Sequence, residues 1–472
     1  MLSSRSLVLA VAVVIAATAR AARAQEPDPA SDSLVAAVEA AVASGHLPGA
    51  QVLVSHNGHI VLDRGFGVQS LTRKQPVDVD TRFEIGSITK QFTAAAILQL
   101  VEQHKLSLDD SLGKFVHDYP AGANVTLRQL LWQVTGIPNY TAVSGFETYS
   151  TTRAGGIGGV LDLVRAKPLE FTPGTKWMYS NTNYALLGQV VAVASGESWE
   201  AYVRRHIFGP VGMTHSTFVV DERGLSDFAT GYTSVHGTRA SSPPMGNWAL
   251  GAGSIVSTAE DLARWDDAFF GGRVIAPADV KLATTPGRLA NGSPTSYGFG
   301  WEIDAHDGQP CIEHNGGTFG FASVNQNFPG LGEQIIVLVN DAGAGPTAIA
   351  SAAFHALNPK VVSTADMPVA GEDTAITKLA QQWWIALMSG KVDRSRLTPE
   401  MSQALTPAML SASGAQLRVL GKPVRWIYRG EQEGAGAKVY QYRVAFGSGT
   451  VLNVIMALAP DGKLAGYVAR PG

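Results

Sequence analysis

Two hydrophobic rhythms divide the chain. Residues 51–55 and 59–63 alternate apolar with polar positions around Asn57-Gly58, a dipeptide favoured in tight hairpin turns, and so predict two antiparallel strands. Residues 34–43 before them read as a short helix stopped at Gly45. Residues 87–103 obey another rule. Ile88, Phe92, Ala94, Ala95, Ala96, Ile97, Leu98, Leu100 and Val101 leave almost no polar face, which predicts a helix buried on nearly all sides. Short helical patterns then alternate with Gly/Pro loops, such as Thr172-Pro173-Gly174, as far as residue 290. Strand patterns return at 297–304, 311–314, 321–326 and 333–340, with a turn at Asp307-Gly308, and a helix over Pro346–Leu357 closes this part. The order predicts an α+β fold: one antiparallel sheet built from both ends of the domain, flanked by helices, with an all-helical insertion between.

Beyond residue 360 the texture changes. Residues 361–372 read as a linker. Residues 374–388 form an amphipathic helical pattern, and 439–446, 451–459 and 464–468 alternate as strands, with turns at Gly447-Ser448-Gly449 and Asp461-Gly462. Residues 373–472 are therefore expected to be a small separate α+β domain after a main domain over 25–360.

Composition narrows the class. With 472 residues, 45% hydrophobic and 16% charged, 51 Gly and 24 Pro, the chain is globular and turn-rich, which excludes disorder, collagen and coiled coil. A formal charge of −3 without a basic run argues against nucleic acid as a partner. Residues 1–24 read as a secretory signal: Arg5, an apolar stretch over 7–19, and Ala22-Arg23-Ala24 as a small-x-small cleavage site. As a helix that stretch reaches only about 20 Å, short of the roughly 30 Å hydrocarbon core, so cleavage is expected rather than a stable membrane anchor. Cys311 is the single cysteine, which rules out an internal disulfide and a lipid-bearing thiol at the cleavage point. Its strand-like setting predicts a buried structural thiol. The expectation is a secreted protein of the bacterial periplasm.

Position and chemistry meet at Phe83-Glu84-Ile85-Gly86-Ser87-Ile88-Thr89-Lys90. Ser87 opens the buried helix and Lys90 lies one turn on, on the same face. A serine hydroxyl is a poor nucleophile until a neighbour takes its proton, which a desolvated amine can do. The helix N-terminus aims free N–H groups at a developing oxyanion. The Ser-x-x-Lys spacing alone arises about once by chance in such a chain, and Ser111 to Lys114 repeats it in a polar stretch that reads as a helix cap. Two more segments add to the set. In Tyr179-Ser180-Asn181, a phenol held near a lysine cation can lose its proton and act as a base, and the amide can orient an acyl group. His314-Asn315-Gly316-Gly317 ends a predicted strand, where glycines let a substrate backbone approach. Each of these two alone reads as ordinary turn, core or strand end.

In this order the three segments resemble the serine β-lactamase and penicillin-binding-protein superfamily, in the class C-like branch of class C β-lactamases, D-amino-acid peptidases, DD-carboxypeptidases and family VIII carboxylesterases. The likeness covers about residues 34–358 and includes residues 130–138, Gly209-Pro210-Val211-Gly212-Met213, residues 253–262 and Tyr297-Gly298-Phe299-Gly300-Trp301. It implies a β-lactamase/transpeptidase-like fold. It implies Ser87 as the acylated nucleophile, Lys90 as its proton partner and Tyr179 as a second base. It gives substrate contact to Asn181, His314, Gly316 and Gly317, with the N–H groups of Ser87 and Gly317 as the oxyanion hole. His314 stands where β-lactamases carry lysine. A lysine there is a permanent cation suited to a substrate carboxylate, whereas histidine is mostly neutral near pH 7, which leans away from a dedicated β-lactamase.

The expected activity is hydrolysis of an ester, amide or peptide bond in a small-molecule or peptide substrate, through an acyl-enzyme on Ser87. A slow-acylating or non-catalytic sensor on the same scaffold is the alternative, against which the intact Tyr179 and His314 weigh. A lipase-like α/β-hydrolase lacks its Gly-x-Ser-x-Gly elbow here. The histidines show no His-x-x-x-His spacing, so neither a metal nor a cofactor is expected. The terminal domain resembles small cystatin-like or NTF2-like modules. Its Trp383, Trp384 and Trp426 read as core aromatics before they read as a binding pocket.

Overall fold

The computed structural model describes residues 29–471, except 153–154, 220–224, 236–237, 243–245, 362–366, 435–436 and 447–450. The expected signal segment, the middle of the expected linker and the turn at Gly447-Ser448-Gly449 lie outside the described residues.

The N-terminal hairpin pairs β1 (Gly49–His56) with β2 (His59–Gly67). The long insertion that follows, expected to be all-helical, is mainly helical but also carries two small sheets. β3 (Phe83–Glu84), β4 (Thr217–Phe218) and β7 (Ile255–Ser257) form one, and β5 (Tyr232–Val235) with β6 (Thr238–Ser241) the other. Strands of two to four residues are too short for alternation to be read, which is why the pattern missed them. β3 leads directly into the loop that bears Ser87, and its pairing with β7 anchors that approach.

The chain then returns through β8 (Glu302–His306), β9 (Gln309–Gly317), β10 (Ala322–Phe328) and β11 (Glu333–Val339). With the hairpin they make one antiparallel sheet ordered β2-β1-β11-β10-β9-β8. Successive side chains take opposite faces. Val52, Val54, Val324, Val337 and Val339 meet Leu34 and Val38 of helix Pro29–Ser44 and Ile349, Ala353 and Phe354 of helix Pro346–Leu357. Leu53, Ile336 and Leu338 face the other way, into the large core around helix Thr89–Glu102. That helix is buried along its length, as its apolar sequence required.

Residues 297–300, expected to begin a strand, do not. Gly300 takes φ 78°, and a Cβ there would sit 2.6 Å from the Lys90 carbonyl oxygen. The loop is therefore bent so that it can press on the backbone of Lys90, and β8 begins only at Glu302.

A polar clamp fixes how the sheet meets the insertion. Asp266, fully buried on helix Ala259–Phe270, accepts from Asn325 Nδ2 at 2.9 Å and Asn327 Nδ2 at 3.0 Å, both on β10.

Residues after 372 build their own sheet, β12 (Pro423–Gly434), β13 (Ala437–Phe446), β14 (Val451–Leu458) and β15 (Leu464–Pro471), in sequential order. Trp383 and Trp384 of helix Thr374–Ser389 lie buried against Tyr442, Val444 and Phe446, with Trp426 packed beside them. Where one helix was expected, helices Pro399–Ala404 and Pro407–Leu420 occur as well. Each starts from a threonine cap with proline in its first turn, and the second is built mostly of strong helix formers such as Ala, Leu, Met, Gln and Arg. No described helix is long and apolar enough to cross a membrane.

Two outcomes follow from the buried carboxyls. Asp266→Ala leaves two buried amide donors without their acceptor and should lower the unfolding free energy by about 3 kcal/mol, read by urea denaturation. Burial also raises Asp63 to about 6, and Asp266 and Glu302 to about 7. Between about pH 4 and 7 these three carboxyls retain protons that the unfolded chain releases, so each contributes stability that is fully present at the low end of that window and declines as pH rises through it, while buried His314 and Lys90 act in the opposite sense. Asp266→Asn removes one of the three contributions, so its stability deficit against the wild type should shrink as pH rises from about 4 to 7; a deficit that stays constant or grows contradicts this.

Candidate active site

Ser87 sits in a 3-10 turn, Gly86–Ile88, that runs straight into helix Thr89–Glu102. Its own N–H belongs to the first turn, where no intrahelical acceptor exists, and the helix dipole adds to its pull on negative charge. Gly86 makes the tight entry possible. It holds φ 52°, and a Cβ there would lie 2.6 Å from the Gly317 nitrogen.

Lys90 is completely buried and its ammonium position is surrounded by three oxygens: Ser87 Oγ at 2.9 Å, Asn181 Oδ1 at 2.8 Å and the Ala252 carbonyl at 2.7 Å. Two of the three can only accept. Asn181 Oδ1 is fixed as such because the same amide donates through Nδ2 to Thr141 Oγ1 at 3.0 Å. Burial lowers the Lys90 pKa well below the ordinary lysine value, with Glu302 pulling weakly the other way. A neutral amine has two N–H bonds, which the two carbonyl oxygens take. The remaining tetrahedral position, a lone pair, then faces Ser87 Oγ. The arrangement is that of a base poised on an alcohol.

The Tyr179 phenol is hydrogen-bonded to Ser87, and its ring centroid lies 4.8 Å from Lys90 Nζ. The expectation that a lysine cation would hold it as phenolate is overturned. Burial pushes its pKa up, above the ordinary phenol range, and the hydrogen bond with Ser87 offsets only part of that. Tyr179 is a neutral phenol that both accepts and donates a proton.

Structure also corrects the third motif. His314 is 1% exposed and lies behind the cleft wall. Its Nδ1 is 2.7 Å from the Asn315 carbonyl, which can only accept, so Nδ1 bears the proton and Nε2 accepts from the Tyr297 hydroxyl at 2.9 Å. Burial, aided by Lys90, lowers its pKa to about 3. The ring is neutral, with both nitrogens engaged inside the protein. Gly316 does not meet substrate either, for a Cβ on it would fall 2.0 Å from the Ile85 carbonyl and 2.2 Å from Ser323 Oγ. Its bareness lets β9 lie against the segment before Ser87. Gly317, by contrast, faces the cleft.

The cleft, about 250 Å³, is lined by Ser87, Asn181, Gly317, Thr141, Thr318 and the apolar Tyr140, Phe146, Ala249, Ala252 and Phe319. Sequence reading missed Thr141, Ala252 and Tyr297 as supports of the site. The first two adjoin quoted segments, 130–138 and 253–262, and Tyr297 opens a third; none bears a side chain that by itself signals chemistry. The decoy pair behaves blandly: Ser111 caps a 3-10 turn and Lys114 pairs with Asp110 at 2.9 Å. Cys311 is buried, with its thiol pKa raised by that burial.

The family model described as Beta-lactamase matches residues 34–358. The chain belongs to the beta-lactamase family and is a serine hydrolase. It is 30% identical over 306 residues to Penicillin-binding protein 4* of Bacillus subtilis, covering 61% of this chain. It is 29% identical over 316 residues to Protein flp of Staphylococcus aureus strain MW2, covering 64% of this chain. The chain spans 67% and 61% of the lengths of these two curated relatives. Among solved structures, a D-stereospecific amidohydrolase from Streptomyces sp. superposes with a TM-score of 0.60 at 26% identity, covering 71% of this chain and 100% of that one.

For this beta-lactamase-family hydrolase, Lys90→Arg replaces a titratable amine by a permanent cation. It should cut kcat/KM by about 10²- to 10⁴-fold while the fold persists. In the native enzyme kcat/KM should rise with pH as Lys90 loses its proton, and level off well below the range of an exposed lysine. An arginine variant that keeps native turnover removes Lys90 from the chemistry.

Proposed function

We propose that the protein is an exported hydrolase that cleaves an ester, amide or peptide bond of an uncharged, apolar acyl group through an acyl-enzyme on Ser87. The observation that carries this reading is the fully buried Lys90, its pKa lowered by that burial and its Nζ held within hydrogen-bond distance of Asn181 Oδ1, the Ala252 carbonyl and Ser87 Oγ.

The reaction follows from those placements. Lys90 takes the hydroxyl proton as Oγ bonds to the substrate carbonyl carbon. The N–H groups of Ser87 and Gly317 receive the oxyanion. The proton returns through the Tyr179 phenol to the departing alcohol or amine, and the carbonyl C–O or C–N bond breaks. Water then attacks the acyl-enzyme, giving its proton back along the same relay, and the acid leaves as Ser87 regains its hydrogen. The hydrogen bond between Tyr179 and Ser87 supports turnover over the slow-acylating sensor.

The acyl group is inferred from the cleft. Tyr140, Phe146 and Phe319 stand by Ser87, and none of the described residues lining the cleft is charged. His314 is neutral and occupied, so the third motif offers no cation to a substrate carboxylate. The likeness to a D-stereospecific amidohydrolase and to penicillin-binding proteins supports acyl transfer as the reaction class. Export to the periplasm rests on the signal pattern of residues 1–24.

A substrate panel tests the proposal. p-Nitrophenyl butyrate and phenylacetate should be turned over with kcat/KM at least tenfold above nitrocefin and D-alanyl-D-alanine peptides, which bear carboxylates. Ser87→Ala should abolish turnover and fluorophosphonate labelling. Preference for nitrocefin would sink the substrate assignment, and full activity in Ser87→Ala would sink the mechanism.

A further inference from the structure

Well away from the cleft, the β8–β9 turn and the last turn of helix Pro346–Leu357 bring together His306, Asp307 and His355. Asp307 Oδ2 lies 2.9 Å from His355 Nε2 and 3.6 Å from His306 Nε2. One ligand atom from each residue lies within 4.8 Å of the other two. The Asp307 carboxylate is 8% exposed and the two imidazoles 22% and 32%, so the group is sheltered yet reachable from solvent. Phe328 and Phe354 meet the His306 ring edge-on at 6.1 and 5.0 Å, which holds its orientation. Ser351, one turn before His355 on the same helix face, places its hydroxyl 3.4 Å from His306 Nε2. Asp307 itself takes φ 50°, a left-handed conformation that aspartate tolerates better than most residues.

We propose that His306, Asp307 and His355 bind one divalent transition-metal ion, zinc above others, with its remaining position filled by water. Imidazole nitrogen suits zinc, nickel or copper, whereas calcium and magnesium favour all-oxygen sites. Zinc bonds of about 2.0–2.1 Å in a tetrahedron set ligand atoms about 3.3 Å apart, and the observed 2.9 and 3.6 Å bracket that separation. The carboxylate supplies charge, and the negative end of the helix dipole beside His355 favours a cation. β9 has nine residues, each about 3.3 Å long, and the site lies at its opposite end from Gly317. The ion is therefore a structural staple that ties the edge hairpin to the helix covering the sheet, and takes no part in hydrolysis.

Calorimetric titration of zinc into untagged, chelator-treated protein should reveal one saturable site per chain. His306→Asn and His355→Gln should each weaken it at least tenfold while leaving p-nitrophenyl ester turnover unchanged. Cobalt(II) added to the wild-type chain should give the intense visible absorption of a four- or five-coordinate site. That spectrum needs no variant and decides the matter if either substitution misfolds. The proposal is overturned if the wild type takes up no stoichiometric zinc, if both variants bind as the wild type does, or if cobalt retains its weak aqueous spectrum.

Discussion

A single amine stripped of water governs this molecule. Burying Lys90 as an ammonium costs several kcal/mol, and that cost lowers the pKa of the group well below the ordinary lysine value. Nearly everything else in the site keeps its nitrogen aimed. Ala252 and Asn181 take its two hydrogens, Thr141 keeps the Asn181 amide from flipping, and the Gly300 bend presses on its backbone. The buried helix that carries it, with its run of Ala94, Ala95, Ala96, Ile97 and Leu98, supplies the desolvation. The activation proposed for Ser87 is thus a property of the core as much as of the cleft.

The second constraint is steric. Helix start and the end of β9 must come within van der Waals contact for the N–H groups of Ser87 and Gly317 to converge, and two missing side chains allow it. Gly86 abuts Gly317, and Gly316 abuts Ile85. His314 acts from the interior, locked between Tyr297 and the Asn315 carbonyl, and so holds β9 in place without reaching substrate. Asp266 extends the same docking to β10.

The long periodic elements were legible from the chain alone: the hairpin at Asn57-Gly58, the buried helix after Ser87 and the helix Pro346–Leu357 declare themselves through spacing. So did the association of Ser87, Lys90, Tyr179 and Asn181, through the order of their segments. Protonation was not legible, because it depends on solvent exclusion by residues far off in sequence. Tyr179 reads as a phenolate candidate only while the burial that raises its own pKa is out of sight. The β-glycines were assigned to substrate because a pattern shows that a side chain is missing, and not which neighbour needs the room. His306 and His355 escaped notice for a similar reason, since a turn and a helix end meet only once the sheet has folded.

The contact between Gly86 and Gly317 joins segments from opposite sides of the domain's main seam, and the proposed oxyanion receptor exists only while that seam is shut. Slight parting of the two layers would dissolve the receptor though each layer kept its secondary structure. On warming, loss of catalysis would therefore run ahead of any change in helix content, which makes hydrolysis a finer gauge of this joint than circular dichroism.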